Sequence, residues 1–315
     1  MKILLFISNS NNIVMRKFII KTFVFLSLSV VLITFLMIKI GNNWSKNSHE
    51  INVVLAYERL DSLKDCNKVI IIAGSNGCFS FDSSVISDSM HMPVVNTSTH
   101  AGIGVRMQFE MYKELIKKDD IVIFCPEYYS GISRLYGEVA LFRILSTHMP
   151  SAYRKMSLAQ WYNTFKYIGT HFENAIKVVN CQQFEGPYSA SSVNEYGDIE
   201  CEREHQSVDV YKLKGEMDLE TLAYYRYIHE YSKNNGFTLI YLPPVLAESA
   251  FLNQKEQIDS LELFMNRNNI PFHVKPERYS FPDSLFFDTP YHMTLSGAKK
   301  RTLYVVEDMK RFIKK

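Results

Sequence analysis

Apolar residues follow three different rhythms along this chain. The first is continuous: Thr22 to Ile38 is a run of 17 residues without a charge, and Phe18, Ile19 and Ile20 extend it past Lys21. A lysine stem can reach an interface while its backbone stays in the apolar layer. About 20 such residues cross the hydrocarbon core as a helix, so the run predicts a membrane span. A cleaved signal peptide is the alternative, but Lys39-Ile40-Gly41-Asn42-Asn43 lacks the small-residue cleavage pattern. Arg16, Lys17 and Lys21 precede the run, and Lys39 and Lys46 follow it. That bias predicts a single-pass membrane protein with a cytoplasmic N-terminus and a large extracytoplasmic part, periplasmic if the cell is Gram-negative. Residues 1–40 are read as tail and anchor, and residues 41–66 as a polar stalk with a lead-in helix near Ile51 to Tyr57.

The second rhythm is a set of short β-branched runs, each ended by turn residues: Val69 to Ile72, Pro93 to Asn96, Asp120 to Cys125, Phe237 to Leu242 and Pro271 to Val274. Runs of this kind are strands buried on both faces of a sheet. The third rhythm is helical spacing, over Ser80 to Met90, Val105 to Lys118, Asp218 to Asn234, Gln254 to Asn268 and Leu295 to Ile313. Strand and helix alternating at these intervals predict an α/β domain over residues 67–315, with a mainly parallel sheet between helical layers. A mainly helical, aromatic-rich segment with a polar end, residues 130–206, interrupts the alternation and is read as an insertion beside the functional face.

Composition narrows the chemistry. At 315 residues and 47% hydrophobic content the chain can bury one large core. A net charge of +2 gives no electrostatic footprint for nucleic acid or for a polybasic membrane patch. The five cysteines include no Cys-x-x-Cys pair, and Cys181 and Cys201 either bridge outside the cytoplasm or stay as thiols. There is no His-Glu-x-x-His, and Gly102 and Gly104 lack the third glycine of a dinucleotide fingerprint, so neither a metal nor another cofactor is expected.

Candidate chemistry begins at Gly74-Ser75-Asn76-Gly77, where small residues end the first strand and leave Ser75 unscreened. Open α/β sheets bind ligands at that end of their strands. A serine hydroxyl becomes a nucleophile when a histidine takes its proton and an acid orients the histidine. Asp288 and His292, four residues apart in the loop Phe286 to Thr294, are the candidate acid and base. Gly102 and Gly104 are candidates to offer backbone N–H groups to a ligand. His100 beside them is either a substrate contact or a hydrogen-bonded structural histidine. Taken singly, a Gly-Ser-Asn-Gly turn or an Asp-x-x-x-His pair is more often structural; the catalytic reading rests on their combination. The nucleophile-elbow pattern Gly-x-Ser-x-Gly fails only at Ala73, but that fold places several strands before its serine.

These blocks, in this order over about residues 68–310, resemble the SGNH (GDSL-like) hydrolase superfamily, and within it membrane-anchored bacterial members found with surface polysaccharide assembly. The resemblance implies a flavodoxin-like three-layer sandwich, Ser75 as nucleophile, Asp288 and His292 as acid and base, and Gly102 or Gly104 as an oxyanion donor. It implies a serine esterase or O-acyltransferase working on ester groups, acetyl above all, of an extracytoplasmic glycan or lipid-linked glycan, with polysaccharide-assembly proteins as possible partners. A non-catalytic glycan-binding or assembly factor is the alternative. Two departures stand out. The acid and base are spaced Asp-x-x-x-His instead of Asp-x-x-His, and Glu127 follows the third strand where the family offers an Asn to the oxyanion, leaving Asn76 or Asn194 as substitutes.

Overall fold

The computed structural model describes residues 13–128, 135–170, 173, 184–208, 219–270 and 272–313, and no side chain of residues 13, 14 or 37–45. A long helix α1 (Ile13–Ser45) comes first, followed by α2 (Asn52–Ser62), β1 (Val69–Ile72), the one-turn α3 (Ser75–Cys78), α4 (Ser83–Met90), β2 (Val94–Asn96), α5 (Val105–Glu110) and β3 (Ile121–Phe124). Then come α6 (Val139–His148), α7 (Leu158–Lys166), α8 (Leu219–Asn235), β4 (Thr238–Tyr241), β5 (Leu246–Ala247), α9 (Glu248–Asn253), α10 (Lys255–Arg267), β6 (Ser280–Phe281) and α11 (Leu295–Ile313).

Four strands form a parallel sheet in the order β2-β1-β3-β4, in register from Val69 opposite Val94 and Ile121 to Phe124 opposite Tyr241. The sequence alternation is visible in what each side chain meets. Ile70 and Ile72 join the apolar cluster containing Val53, Leu60, Phe109, Ile144 and Ile228, whereas Val69 and Ile71 join the one containing Ile86, Ile258, Val305 and Met309. Both faces of the sheet are thus covered, and the strands read as unbroken apolar runs for that reason. At the amino end of the sheet, fully buried Lys68 and Asp120 pair at 2.9 Å, and Asp120 also accepts the Lys68 N–H.

The expected fifth strand is a single parallel bridge from Tyr241 to Phe272, and Pro271 lies outside the described residues. The expected helix from Val105 to Lys118 stops at Glu110 and tightens into a 3₁₀ turn over Lys113–Leu115, a common way for a last turn to end. In the insertion, α6, α7 and the 3₁₀ segment Pro150–Lys155 are helical as expected, while residues 174–183 lie outside the description.

Two findings concern the chain before the sheet. The segment Met15–Leu36 within α1 is long and apolar enough to cross a membrane, and its side chains are exposed. Within the stretch read as a stalk, residues 41–66, Ser48, His49, Glu50, Asn52, Val53, Ala56 and Leu60 are buried, so the part from Ser48 to Leu60 packs into the domain. Its apolar residues recur at helical spacing, and that stripe has the sheet face to cover.

Candidate active site

Ser75 opens a single helical turn whose N-terminus sits at the carboxyl end of β1. Gly74 caps it, Gly77 N–H donates to Gly74 O at 3.0 Å, and Phe79 N–H returns to Ser75 O at 3.1 Å. Within the described residues, neither the Ser75 hydroxyl nor its N–H makes a hydrogen bond.

Asp288 and His292 lie in a loop shaped by Thr289. The Thr289 hydroxyl accepts the N–H groups of Tyr291 at 3.3 Å and His292 at 3.1 Å, and an antiparallel bridge from Phe286 to Met293 closes the loop. The turn brings residues four apart onto one side, and His292 Nδ1 and Asp288 Oδ1 meet at 2.9 Å. The longer Asp-x-x-x-His spacing therefore forms a bonded pair.

This loop rests on the serine turn. The His292 ring stacks on Phe79 with centroids 4.1 Å apart and planes 12° apart, and Ser80 Oγ donates to Tyr291 O at 3.0 Å. The structure thus brings the Asp288/His292 pair beside the turn that begins with Ser75. No hydrogen bond joins Ser75 to His292 among the described residues.

Three residues outside the expected set hold this arrangement. Tyr188 donates its hydroxyl to Asp288 Oδ2 and lies 3.2 Å from His292 Nδ1, with its ring 5.3 Å from Phe79. Both carboxylate oxygens of Asp288 are therefore bonded. Burial works against that charge, but the bonds from His292 and Tyr188 outweigh it and keep the carboxyl below its ordinary range. The same phenol is pushed far above its usual range by burial and by Asp288, so it remains a donor. Arg203 donates to Met293 O at 2.6 Å, Phe79 O at 2.9 Å and Ile199 O at 2.8 Å, tying the histidine loop, the serine turn and the insertion together. His49, its imidazole kept neutral by burial, packs edge-on against Phe79 and Tyr188.

The expected oxyanion donors are placed differently. Gly102 N–H donates to His100 Nδ1 at 2.9 Å, and Gly104 N–H donates to Ala101 O at 3.0 Å, so both are bonded within their own turn. Gly104, at φ +86, owes its identity to backbone shape and to close contact with Gly137. The Asn76 side chain faces the scaffold: its Nδ2 donates to Cys125 O at 2.9 Å, and buried Arg301 from α11 donates to its carbonyl and side-chain oxygens at 3.2 and 3.4 Å. Asn194 Oδ1 accepts the N–H groups of Tyr196, Gly197 and Asp198, which holds its own turn. Glu127 is buried under the serine turn, where Oε1 accepts the Asn76 N–H at 2.9 Å. It acts there as an N-terminal cap supplied from the segment that follows β3.

Cys66, Cys78, Cys125 and Cys201 are free thiols, and Cys181 lies outside the described residues. The chain matches no model of a known protein family and no curated protein.

Proposed function

We propose that the domain is a serine-dependent acyl-transfer enzyme of the SGNH type, an esterase or O-acyltransferase for ester groups, acetyl above all, on an extracytoplasmic glycan or lipid-linked glycan. The observation that carries this reading is the Asp288–His292 pair stacked on Phe79, one turn along from Ser75. The strand order 2-1-3-4 agrees with a flavodoxin-like sheet, in which ligands bind where the order reverses between β1 and β3. Ser75 and Glu127 follow those two strands.

In this mechanism Asp288 holds the His292 proton on Nδ1, leaving Nε2 as the base. As Ser75 Oγ attacks the ester carbonyl, its proton passes to Nε2. The Ser75 N–H, unbonded among the described residues, is the donor left for the developing negative charge. The alcohol leaves with the proton from His292, and water or a sugar hydroxyl then attacks the acyl-enzyme. An apolar N-terminal helix suits a substrate presented at a membrane, and glycans carried on lipids, with their assembly proteins, are such substrates and partners.

A fluorophosphonate probe tests the reading. Labelling of the wild type that disappears in Ser75→Ala is expected, and folded wild-type protein that stays unlabelled overturns it. Acetyl release from an ester, assayed with and without a sugar acceptor, then separates esterase from transferase. The second reading, a glycan-binding or assembly module without catalysis, is favoured by the Glu127 carboxylate at the serine turn and by the internal bonds of Gly102 and Gly104. Glycan binding by an unlabelled protein is its signature.

A further inference from the structure

His100 carries an unused donor beside the serine turn. Its Nδ1 accepts the Gly102 N–H at 2.9 Å, and a ring nitrogen that accepts cannot also hold a proton. The imidazole is therefore neutral, with its hydrogen on Nε2. Burial is the main force keeping it so, assisted by Arg143, His49 and His292 against the opposing charge of Glu50, and holds its pKa down at about 3. Nε2 makes no hydrogen bond among the described residues, and His100 as a whole residue is partly buried.

Its neighbours fix its place. The Thr99 carbonyl lies 3.5 Å from Cys78 Sγ, and Ala101 Cα would be 2.7 Å from a Cβ placed on Gly74. Residues 99–101 thus run alongside Gly74–Cys78, with His100 between the two contacts. We propose that His100 Nε2–H is the hydrogen-bond donor to the oxyanion formed at Ser75, replacing the Gly102 N–H that its own Nδ1 occupies. This rests on the acyl-transfer reading above. A neutral imidazole suits the task, because it offers a fixed N–H without changing charge across the working pH range.

The test is the rate at which a fluorophosphonate labels the full chain in detergent. Ser75 Oγ forms a bond to phosphorus, the phosphorus–fluorine bond breaks, fluoride leaves, the hydroxyl proton passes to His292, and the phosphoryl oxygen occupies the oxyanion position. His100→Asn keeps an acceptor where Nδ1 was and removes the distal donor. His100→Gln keeps a distal N–H donor and removes the near acceptor. The expected result is labelling about 10²–10³-fold slower in His100→Asn, the usual cost of one oxyanion donor, and within about tenfold of wild type in His100→Gln. A structural role predicts the reverse order, and that order, or equal rates in the two variants, overturns the proposal. If His100→Asn does not fold, as read by thermal melting, His100→Ala takes its place: labelling about 10²–10³-fold slower in His100→Ala and within about tenfold of wild type in His100→Gln supports the assignment, and any other order or equal rates overturns it. An unlabelled wild type is a different failure, since it removes the Ser75 nucleophile itself and this inference with it.

Discussion

A Cβ on Gly74 would overlap both carboxylate oxygens of Glu127 and come within 2.7 Å of Ala101 Cα, so the turn that presents Ser75 has no space for a side chain at that position. Gly74→Ala is expected to lower stability by about 1–3 kcal/mol, the range for overpacking, measured by denaturant unfolding. Glu127→Ala should recover part of that loss and leave the part due to Ala101. At Tyr188 the effect is on chemistry. Tyr188→Phe removes one of the two bonds to Asp288, and activity should fall about tenfold to a hundredfold, the worth of a hydrogen bond to a charged group. The Asp288 carboxyl is depressed in the wild type, so its charge is kept below the ordinary carboxylate range. Without the phenol it protonates closer to that range, an upward shift of the carboxyl's own titration that NMR of Tyr188→Phe should read. Ser75, Asp288 and His292 stand out in the sequence as candidates because small turn residues and an acid–imidazole pair have local signatures. Tyr188 and Arg203 could not, because they lie in a polar stretch without periodicity and their partners are about 90 to 124 residues away.

Among the elements, the strands were the most legible, since four β-branched runs buried on both faces have few other uses. The stretch before them was the least. Its burial depends on a 3₁₀ turn, His49–Ile51, meeting α6 through Glu50, which is forked by Arg143 with Nε 3.1 Å from Oε2. Polar residues read alone look like a stalk; only the partner 93 residues away makes them core. Burial by itself would raise the Glu50 pKa, but the guanidinium brings it down to about 2 from an ordinary 4.5. Its contribution to stability is thus present above about pH 4.5 and is lost as the pH falls toward about 2, a difference of about 3 kcal/mol. Glu50→Gln should flatten the acid side of a stability-versus-pH curve over that window. An unchanged slope would show that the pair contributes nothing on folding.

For the whole molecule, the apolar α1 and the buried α2 predict different effects of shortening the chain. A chain beginning at residue 46 lacks the exposed apolar segment Met15–Leu36 and should fold in water and fractionate as soluble, while the full chain stays with membranes through alkaline extraction. One beginning at residue 67 loses Val53, Ala56 and Leu60, each large side chain worth about 1.5–3 kcal/mol of burial, and should give no cooperative melting transition. The hydroxyl's turn and the imidazole's loop come from opposite ends of the sequence, joined by contacts 211 and 225 residues apart between Ser80 and Tyr291 and between Asn76 and Arg301. On the acyl-transfer reading proposed above, a domain emerging from a membrane in chain order would present the alcohol long before the imidazole, and it would gain activity only once α11 had docked.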